Sequence, residues 1–209
     1  FKDLYGLEKN RIIILASSNI QIGWRKTIFN PRVGDNQCTG DTYGIDKEEI
    51  KDIDRESRNV VKKYYDLYGY ASFANKIKKI LDRKTNMISS TELRLKKEIE
   101  IIKETYSNRV LIIDEVHIIR NDSDGENLDR DTLIYIEKVI RYSDNLKLIL
   151  LTANPMFNQP SEIVWMLNML LLNDNRDPMK EKMIFKNDIL TELGEKILLE
   201  KSKGYISYL

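Results

Sequence analysis

The sequence predicts an α/β fold, a parallel sheet flanked by helices. Short β-branched apolar runs stand at Arg11–Ala16, Val110–Ile113 and Lys147–Leu151, each of the length of a buried strand. Between them apolar residues recur at helical spacing, and strand alternating with helix is the pattern of a parallel sheet. Each run also ends in a polar cluster: Ser17-Ser18-Asn19, Asp114-Glu115-Val116-His117 and Thr152-Ala153-Asn154. Parallel strands bind ligands beyond their carboxyl ends, so this agreement places a site along one edge of the sheet.

The elements follow in order. After the strand Arg11–Ala16, Ser18 or Asn19 caps a helix bearing Ile20, Ile22, Trp24, Ile28 and Phe29. Pro31 to Gly44, rich in Gly, Asn, Asp and Thr, reads as a loop that holds Cys38. Lys47 to Tyr68 reads as a charged helix, Gly69–Phe73 as a short strand, and Ala74–Arg83 as a helix. Leu95, Ile99, Ile102 and Tyr106 give Thr91–Tyr106 a helical face. Val110–Ile113, apolar on both faces, is the strongest strand signal. Asn121–Gly125 is a polar loop, Asp129–Arg141 a helix, Lys147–Leu151 a strand and Thr152–Gln159 a loop. Pro160 opens a further helix, with an apolar face of Ile163, Val164, Met166, Leu167, Leu170 and Leu171, that ends at Asn173–Pro178. Residues 1–180 are expected as one domain. Glu181 to Leu209, weakly patterned, is expected to begin a connection to a second.

Composition narrows the function classes. The 209 residues are 42% hydrophobic and 32% charged, and 34 Lys+Arg against 33 Asp+Glu leave a net charge of +1, so any basic surface must be local. One cysteine and one histidine exclude an internal disulfide framework, which fits a reducing compartment, and exclude a Cys/His zinc site. No apolar run is long enough for a bilayer and no signal-peptide pattern is present, so no membrane partner is expected. The chain begins with Phe1 rather than Met and is read as a piece of a longer protein.

The acidic pair is the most informative feature. An Asp at the tip of a buried strand can hold Mg²⁺ on nucleotide phosphates, and a Glu one residue later, pointing elsewhere, can orient or deprotonate the attacking water. Two solvated acids at an exposed strand end is the alternative. His117 is either a half-buried imidazole without a role or a link to the neighbouring strand end, with Thr152 and Asn154 as partners. Lys76, Lys78, Lys79, Arg83 and Lys84 form a basic stretch, readable as a solvated helix face or as a phosphate-contacting patch. Tyr64, Tyr65, Tyr68 and Tyr70 suit core packing better than base stacking. Trp24 and Trp165 are assigned to core or domain packing, and Cys38 receives no role.

Asp114-Glu115-Val116-His117 resembles the DExH box of superfamily 2 helicases. Thr152-Ala153-Asn154-Pro155-Met156-Phe157-Asn158 resembles their motif III, and Leu15-Ala16-Ser17-Ser18-Asn19-Ile20-Gln21 with Trp24 resembles motif Ia. Pro155–Arg176, with Trp165, Leu167-Asn168 and Asn173-Asp174, and the tail Lys203–Tyr208 look closest to the DEAD-like helicases of large nucleocytoplasmic DNA viruses, a group that includes the early transcription factor small subunit of poxviruses and its giant-virus relatives.

The resemblance implies a RecA-like first motor domain of an ATP-dependent helicase or translocase, using ATP and Mg²⁺ and acting on DNA or RNA. By it Asp114 contacts Mg²⁺ through water and Glu115 is the catalytic base. His117, Thr152 and Asn154 couple hydrolysis to domain movement, and Ser17, Ser18, Asn19 and Gln21 lie near the nucleic-acid backbone. A second RecA-like domain and viral transcription proteins are the implied partners, and virion or host cytoplasm the implied location.

The sequence departs from the family at two points. It has no Gly-x-x-x-x-Gly-Lys-Ser/Thr phosphate loop; Phe1 to Glu8 looks like the end of the helix that follows such a loop, and the expectation is that the chain lacks the P-loop strand and helix. Asn154 stands where motif III usually has Thr, which leaves hydrogen bonding intact and puts the coupling role in question. Two other readings stay open: a non-catalytic nucleic-acid-binding subunit with a degenerate helicase fold, and the motor of a restriction or remodelling machine.

Overall fold

A computed structural model describes residues 11–30, 53–119, 130–156 and 159–207. The readings at Phe1–Glu8, at Pro31–Gly44 with its Cys38, at Asn121–Gly125 and at Phe157-Asn158 lie outside the described residues, as do residues 47–52 of the expected helix.

Four strands form one parallel sheet: β1 (Ile12–Leu15), β2 (Tyr65–Tyr68), β3 (Val110–Ile113) and β4 (Lys147–Leu150), in the order β2-β1-β3-β4. Their carboxyl ends are level, because Leu15 pairs in register with both Tyr68 and Ile113, and Ile113 with Leu150. The three expected strands therefore finish on one edge, and the fold is α/β with helices on both faces, consistent with a RecA-like domain.

The fourth strand stands where sequence periodicity suggests the end of a helix. Helix α2 (Ile53–Tyr64) stops at Tyr64, and Tyr65-Asp66-Leu67-Tyr68 pairs with β1 instead. Aromatic residues and Leu suit a strand as well as a helix, and the ladder and an ion pair decide between them. In the strand Asp66 meets Arg109 at 2.6 Å and Arg11 at 3.4 Å, with Arg109 almost buried. Gly69–Phe73 is accordingly not a strand: Gly69 is the extended N-cap of α3 (Tyr70–Thr85).

The other elements lie close to expectation. They are α1 (Ser18–Ile28), α4 (Thr91–Tyr106), α5 (Arg130–Tyr142) and α6 (Glu162–Asn173). The N-cap of α1 is Ser17 rather than Ser18 or Asn19. Pro160 lies just ahead of α6, whose N-cap is Ser161. In α4 the cap is Ser90, whose hydroxyl accepts from the Leu93 N–H.

Alternation along the strands divides the core. Ile13, Leu15, Leu111 and Ile113 face α3, α4, α5 and α6, where Phe73, Ile77, Leu81, Ile101, Ile102, Ile136 and Val139 close the main core. Ile14, Ile12 and Ile112 face the other way, onto Ile28, Phe29, Val60 and Val61. Burying one such aliphatic side chain contributes about 1.5–3 kcal/mol. On this second face β4 is less covered, with Ile149 and Leu151 exposed.

The tail folds onto α6. It forms α7 (Glu181–Ile184), a two-stranded antiparallel hairpin of β5 (Phe185–Lys186) and β6 (Ile189–Leu190), and α8 (Glu192–Ser202). Helix α6 is apolar on two sides: Met166 and Met169 enter the main core, while Val164, Leu167 and Leu171 form a smaller one with Met179, Ile184, Ile197 and Leu198. Among the described residues no helix is long and apolar enough to cross a membrane.

Candidate active site at the strand ends

Strand order and chain order together locate the site. From β1 the chain crosses to β2 through α1 and α2 on one face. It then returns through α3 and α4 on the other face to β3, on the opposite side of β1. The crossovers diverge between β1 and β3, and the carboxyl ends of strands at such a switch point form a crevice where ligands bind. Asp114 follows β3 there, with its N–H donating to Leu15 O at 2.9 Å.

Of the acidic pair, Asp114 is held through both carboxylate oxygens and its backbone. Asp114 Oδ2 accepts from Trp24 Nε1 at 2.7 Å and Oδ1 from the Glu115 N–H at 3.0 Å. Its carbonyl accepts from the Tyr70 hydroxyl at 2.5 Å. A carboxylate has about four lone-pair positions, so each oxygen of Asp114 keeps room for another partner. Tyr70 is itself fixed as a donor. Burial first, then the charges of Asp114 and Glu115, push its hydroxyl up to about 12, against the pull of the Ser17 backbone N–H.

Glu115 adopts a left-handed backbone, with φ of 49°. That conformation costs a non-glycine residue of order 1–3 kcal/mol and gathers at functional sites. The two carboxylates meet different partners, Asp114 the indole of Trp24 and Glu115 the imidazole of His117. Glu115 Oε2 is buried without a hydrogen-bond partner and lies 3.3 Å from His117 Nδ1. The imidazole is a donor to it when Nδ1 carries the proton, and a buried carboxylate oxygen left without a donor is costly unless another species meets it.

His117 sits on the short 3₁₀ turn Val116–Ile119, and its Nδ1 lies 2.9 Å from Thr152 Oγ1 beyond β4. The same hydroxyl accepts from the Asn154 N–H at 3.1 Å. Asp114, Glu115, His117, Thr152 and Asn154 thus form one continuous group, and Asn154 enters it through its backbone while its side chain is exposed.

The residues assigned to nucleic acid divide. Ser17, Ser18 and Asn19 open α1 at the same edge, and Ser18 and Asn19 are exposed. Gln21 is turned inward: Nε2 donates to Ala16 O at 2.9 Å and braces the turn. Neither Ser17 at the head of α1 nor Gly69 at the head of α3 supplies a side-chain cap. Lys78 and Lys79 lie about two turns down α3, and Lys78 is paired with Asp131 of α5 at 3.0 Å. Lys76 reaches back to the edge, donating to the Tyr68 hydroxyl and lying 4.6 Å from that ring's centre.

Among the tyrosines, Tyr65, Tyr68 and Tyr70 pack against the two cores, and Trp165 packs against the main core as assigned. Trp24 does more than pack. Its ring joins the second core, as assigned, but its N–H reaches Asp114. Its position beside an expected edge cluster was the available signal, since a tryptophan buried near polar groups usually finds an acceptor.

Among the described residues no group of three or more His, Cys, Asp or Glu is gathered to hold a metal by protein ligands alone. Mg²⁺ carried on phosphates needs only one or two carboxylates, and a carboxylate as firmly set as Asp114 fits that chemistry.

In sequence the chain is similar to viral proteins that carry helicase names. It is 29% identical over 197 residues to a protein of Acanthamoeba polyphaga mimivirus named "Putative ATP-dependent RNA helicase", a match covering 83% of this chain and 16% of that one. A second mimivirus protein of the same name is 27% identical over 181 residues, 79% of this chain and 25% of that one. A "Putative helicase" of Invertebrate iridescent virus 3 is 27% identical over 169 residues, 80% of this chain and 15% of that one. The chain spans no more than a quarter of the length of these relatives. No protein-family model and no solved structure matches it.

Proposed function

We propose that this chain, a relative of the helicase-named superfamily 2 proteins of large DNA viruses, supplies the acidic half of an ATP-hydrolysing site in a motor that moves on DNA or RNA. The observation that carries the reading is Glu115: a left-handed backbone, a buried Oε2 that makes no hydrogen bond and lies 3.3 Å from His117 Nδ1, and a place one residue beyond a carboxylate fixed through both oxygens.

The roles follow from that arrangement. Asp114 would hold Mg²⁺, and the ion would offset phosphate charge. Glu115 orients the attacking water through Oε2 and takes its proton. His117 and Thr152 carry the state of that carboxylate to the loop after β4, whose far side Asn154 exposes. The nucleic-acid backbone runs along the exposed first turns of α1 and α3, where Ser17 opens the helix, Ser18 and Asn19 present N–H groups and Lys76 adds charge; helix N-termini attract phosphate. A second RecA-like domain in the same polypeptide closes the nucleotide site, and the whole serves viral transcription.

The test is Glu115→Gln in a polypeptide that carries this chain together with a phosphate loop. The amide keeps the shape and cannot accept the proton, so nucleotide binding stays and turnover falls at least about 100-fold, the scale of general base catalysis. Parental turnover in that variant removes Glu115 from the chemistry.

A further inference from the structure

We propose that Trp24 is a positioning residue for Asp114 and, with Tyr70, links the nucleic-acid edge of the sheet to the metal-holding carboxylate. The inference rests on the ATPase reading above and goes beyond it: it names the contact through which nucleic acid sets hydrolysis.

Indole N–H is a donor only. Its bond to Asp114 Oδ2 therefore forms only with the carboxylate oxygen as acceptor, and the 2.7 Å length is that of a charge-assisted bond. Packing alone does not call for it, because the apolar part of the ring already serves the second core. The other oxygen is occupied by the Glu115 N–H, and the backbone of Asp114 is held by Leu15 O and the Tyr70 hydroxyl. Asp114 thus has donors from three directions, and two of them come from aromatic side chains on different helices.

Those helices are the ones whose first turns face the proposed nucleic acid. Trp24 lies within α1, about two turns from Ser18, and Tyr70 is the first residue of α3. Tyr70 also lies against the Ser17 backbone N–H, the N-cap of α1. A phosphate backbone that draws either first turn outward moves a donor on Asp114, so the orientation of the carboxylate follows occupancy of the edge. Outer hydrogen-bond partners of a metal ligand typically control affinity or activity by 10–100-fold.

Trp24→Phe keeps an aromatic ring, smaller than the indole, and removes the donor. In a polypeptide that carries this chain and a phosphate loop, the Mg²⁺ concentration for half-maximal ATP hydrolysis is expected to rise about tenfold. The KM for nucleotide at saturating Mg²⁺ stays put, and stimulation by nucleic acid falls. Tyr70→Phe, which removes the second donor, moves the same two quantities in the same direction. Parental Mg²⁺ dependence and parental stimulation in a folded Trp24→Phe overturn the inference. Glu115→Gln run in parallel separates the two failures: if it abolishes turnover while Trp24→Phe changes nothing, only the positioning role falls, and if it leaves turnover intact the ATPase reading falls with it. A measurement without substitutions guards against misfolding. The chain has two tryptophans, and titrated Mn²⁺ is expected to broaden the indole N–H resonance of Trp24 before that of Trp165. Equal broadening of both, or of neither, is the contrary result.

Discussion

His117 Nδ1 lies 2.9 Å from Thr152 Oγ1 and 3.3 Å from Glu115 Oε2, so one imidazole nitrogen faces both the neighbouring strand end and the unmatched carboxylate oxygen. Thr152 in turn accepts the N–H of Asn154. A shift of the loop after β4 therefore changes what Nδ1 can offer to Glu115. In the proposed motor this is the path by which the state of the nucleotide reaches the rest of the molecule.

Removing the hydroxyl tests that path. Thr152→Val keeps the volume and loses both the acceptor for the Asn154 N–H and the hydrogen-bond partner of His117 Nδ1. A neutral, part-buried hydrogen bond contributes about 0.5–1.5 kcal/mol net, so the fold survives with a small drop in its denaturation midpoint. In the longer polypeptide, nucleic-acid-stimulated ATP hydrolysis is expected to fall several-fold while nucleotide affinity holds. Equal stimulation in variant and parent breaks the link between Thr152 and coupling.

Nucleic-acid contact is expected at the edge rather than along the whole basic stretch. Lys76 reaches back to Tyr68 at the end of β2, whereas Lys78 is paired with Asp131 and Lys79 stands beside it down the helix. Lys76→Glu should weaken binding to DNA or RNA without sequence preference and flatten the salt dependence by about one unit of log–log slope, the loss of one phosphate contact. Lys79→Glu should do neither. Equal effects from both would restore the reading in which the entire stretch lies on phosphates.

The sheet is legible in the sequence because its strands are short apolar runs between polar ends. Ile13, Leu15, Leu111 and Ile113 announce burial by composition, and the parallel order follows from the helices between them. Strand β2 is not legible: Tyr65 and Leu67 extend the helical period of α2, and only the pairing with β1 and the Asp66–Arg109 ion pair reveal a strand. At the site, proximity along the chain shows Asp114, Glu115 and His117 together, and the parallel sheet brings Thr152 beside them. Trp24 to Asp114 spans 90 residues, and Tyr70 lies in a segment whose composition suggests a strand rather than a helix start. Both contacts emerge only when β1 and β2 are set on the same side of β3. The tail shows the converse: α8 is weakly amphipathic, yet it packs on α6 because α6 is apolar on two sides.

That packing leaves a strict requirement at Gly194. Its N–H donates to the Thr191 hydroxyl at 2.9 Å in the cap of α8, and a Cβ at this position would lie 2.1 Å from Ile184 O. The clash is with backbone and cannot be relieved by a rotamer change. Gly194→Ala should destabilise the chain by about 1–3 kcal/mol, the usual cost of overpacking, read as a lower urea midpoint. The loss should concentrate in the small core of Val164, Leu167 and Leu171, seen as faster amide exchange in α8. Unchanged stability would mean that α8 is free to slide away from α7.

On its own, the 209-residue chain should bind ATP weakly and not hydrolyse it. Phosphate affinity in nucleotide-binding α/β proteins comes largely from backbone N–H groups of a glycine-rich loop, a lysine and a helix N-terminus. The sequence has no Gly-x-x-x-x-Gly-Lys-Ser/Thr. Asp114 and Glu115 can hold Mg²⁺ and water, but two carboxylates repel a triphosphate unless cations stand between them. Transition-state charge would also go without an arginine from a second domain, a contribution of about 10³–10⁵ in rate in related phosphoryl-transfer systems. Calorimetry with ATP and Mg²⁺ on this chain should show no heat of binding at micromolar concentrations, whereas a polypeptide that adds a phosphate loop should bind. Micromolar affinity in the chain alone would mean that the phosphates sit elsewhere, with the exposed first turns of α1 and α3 the next place to look.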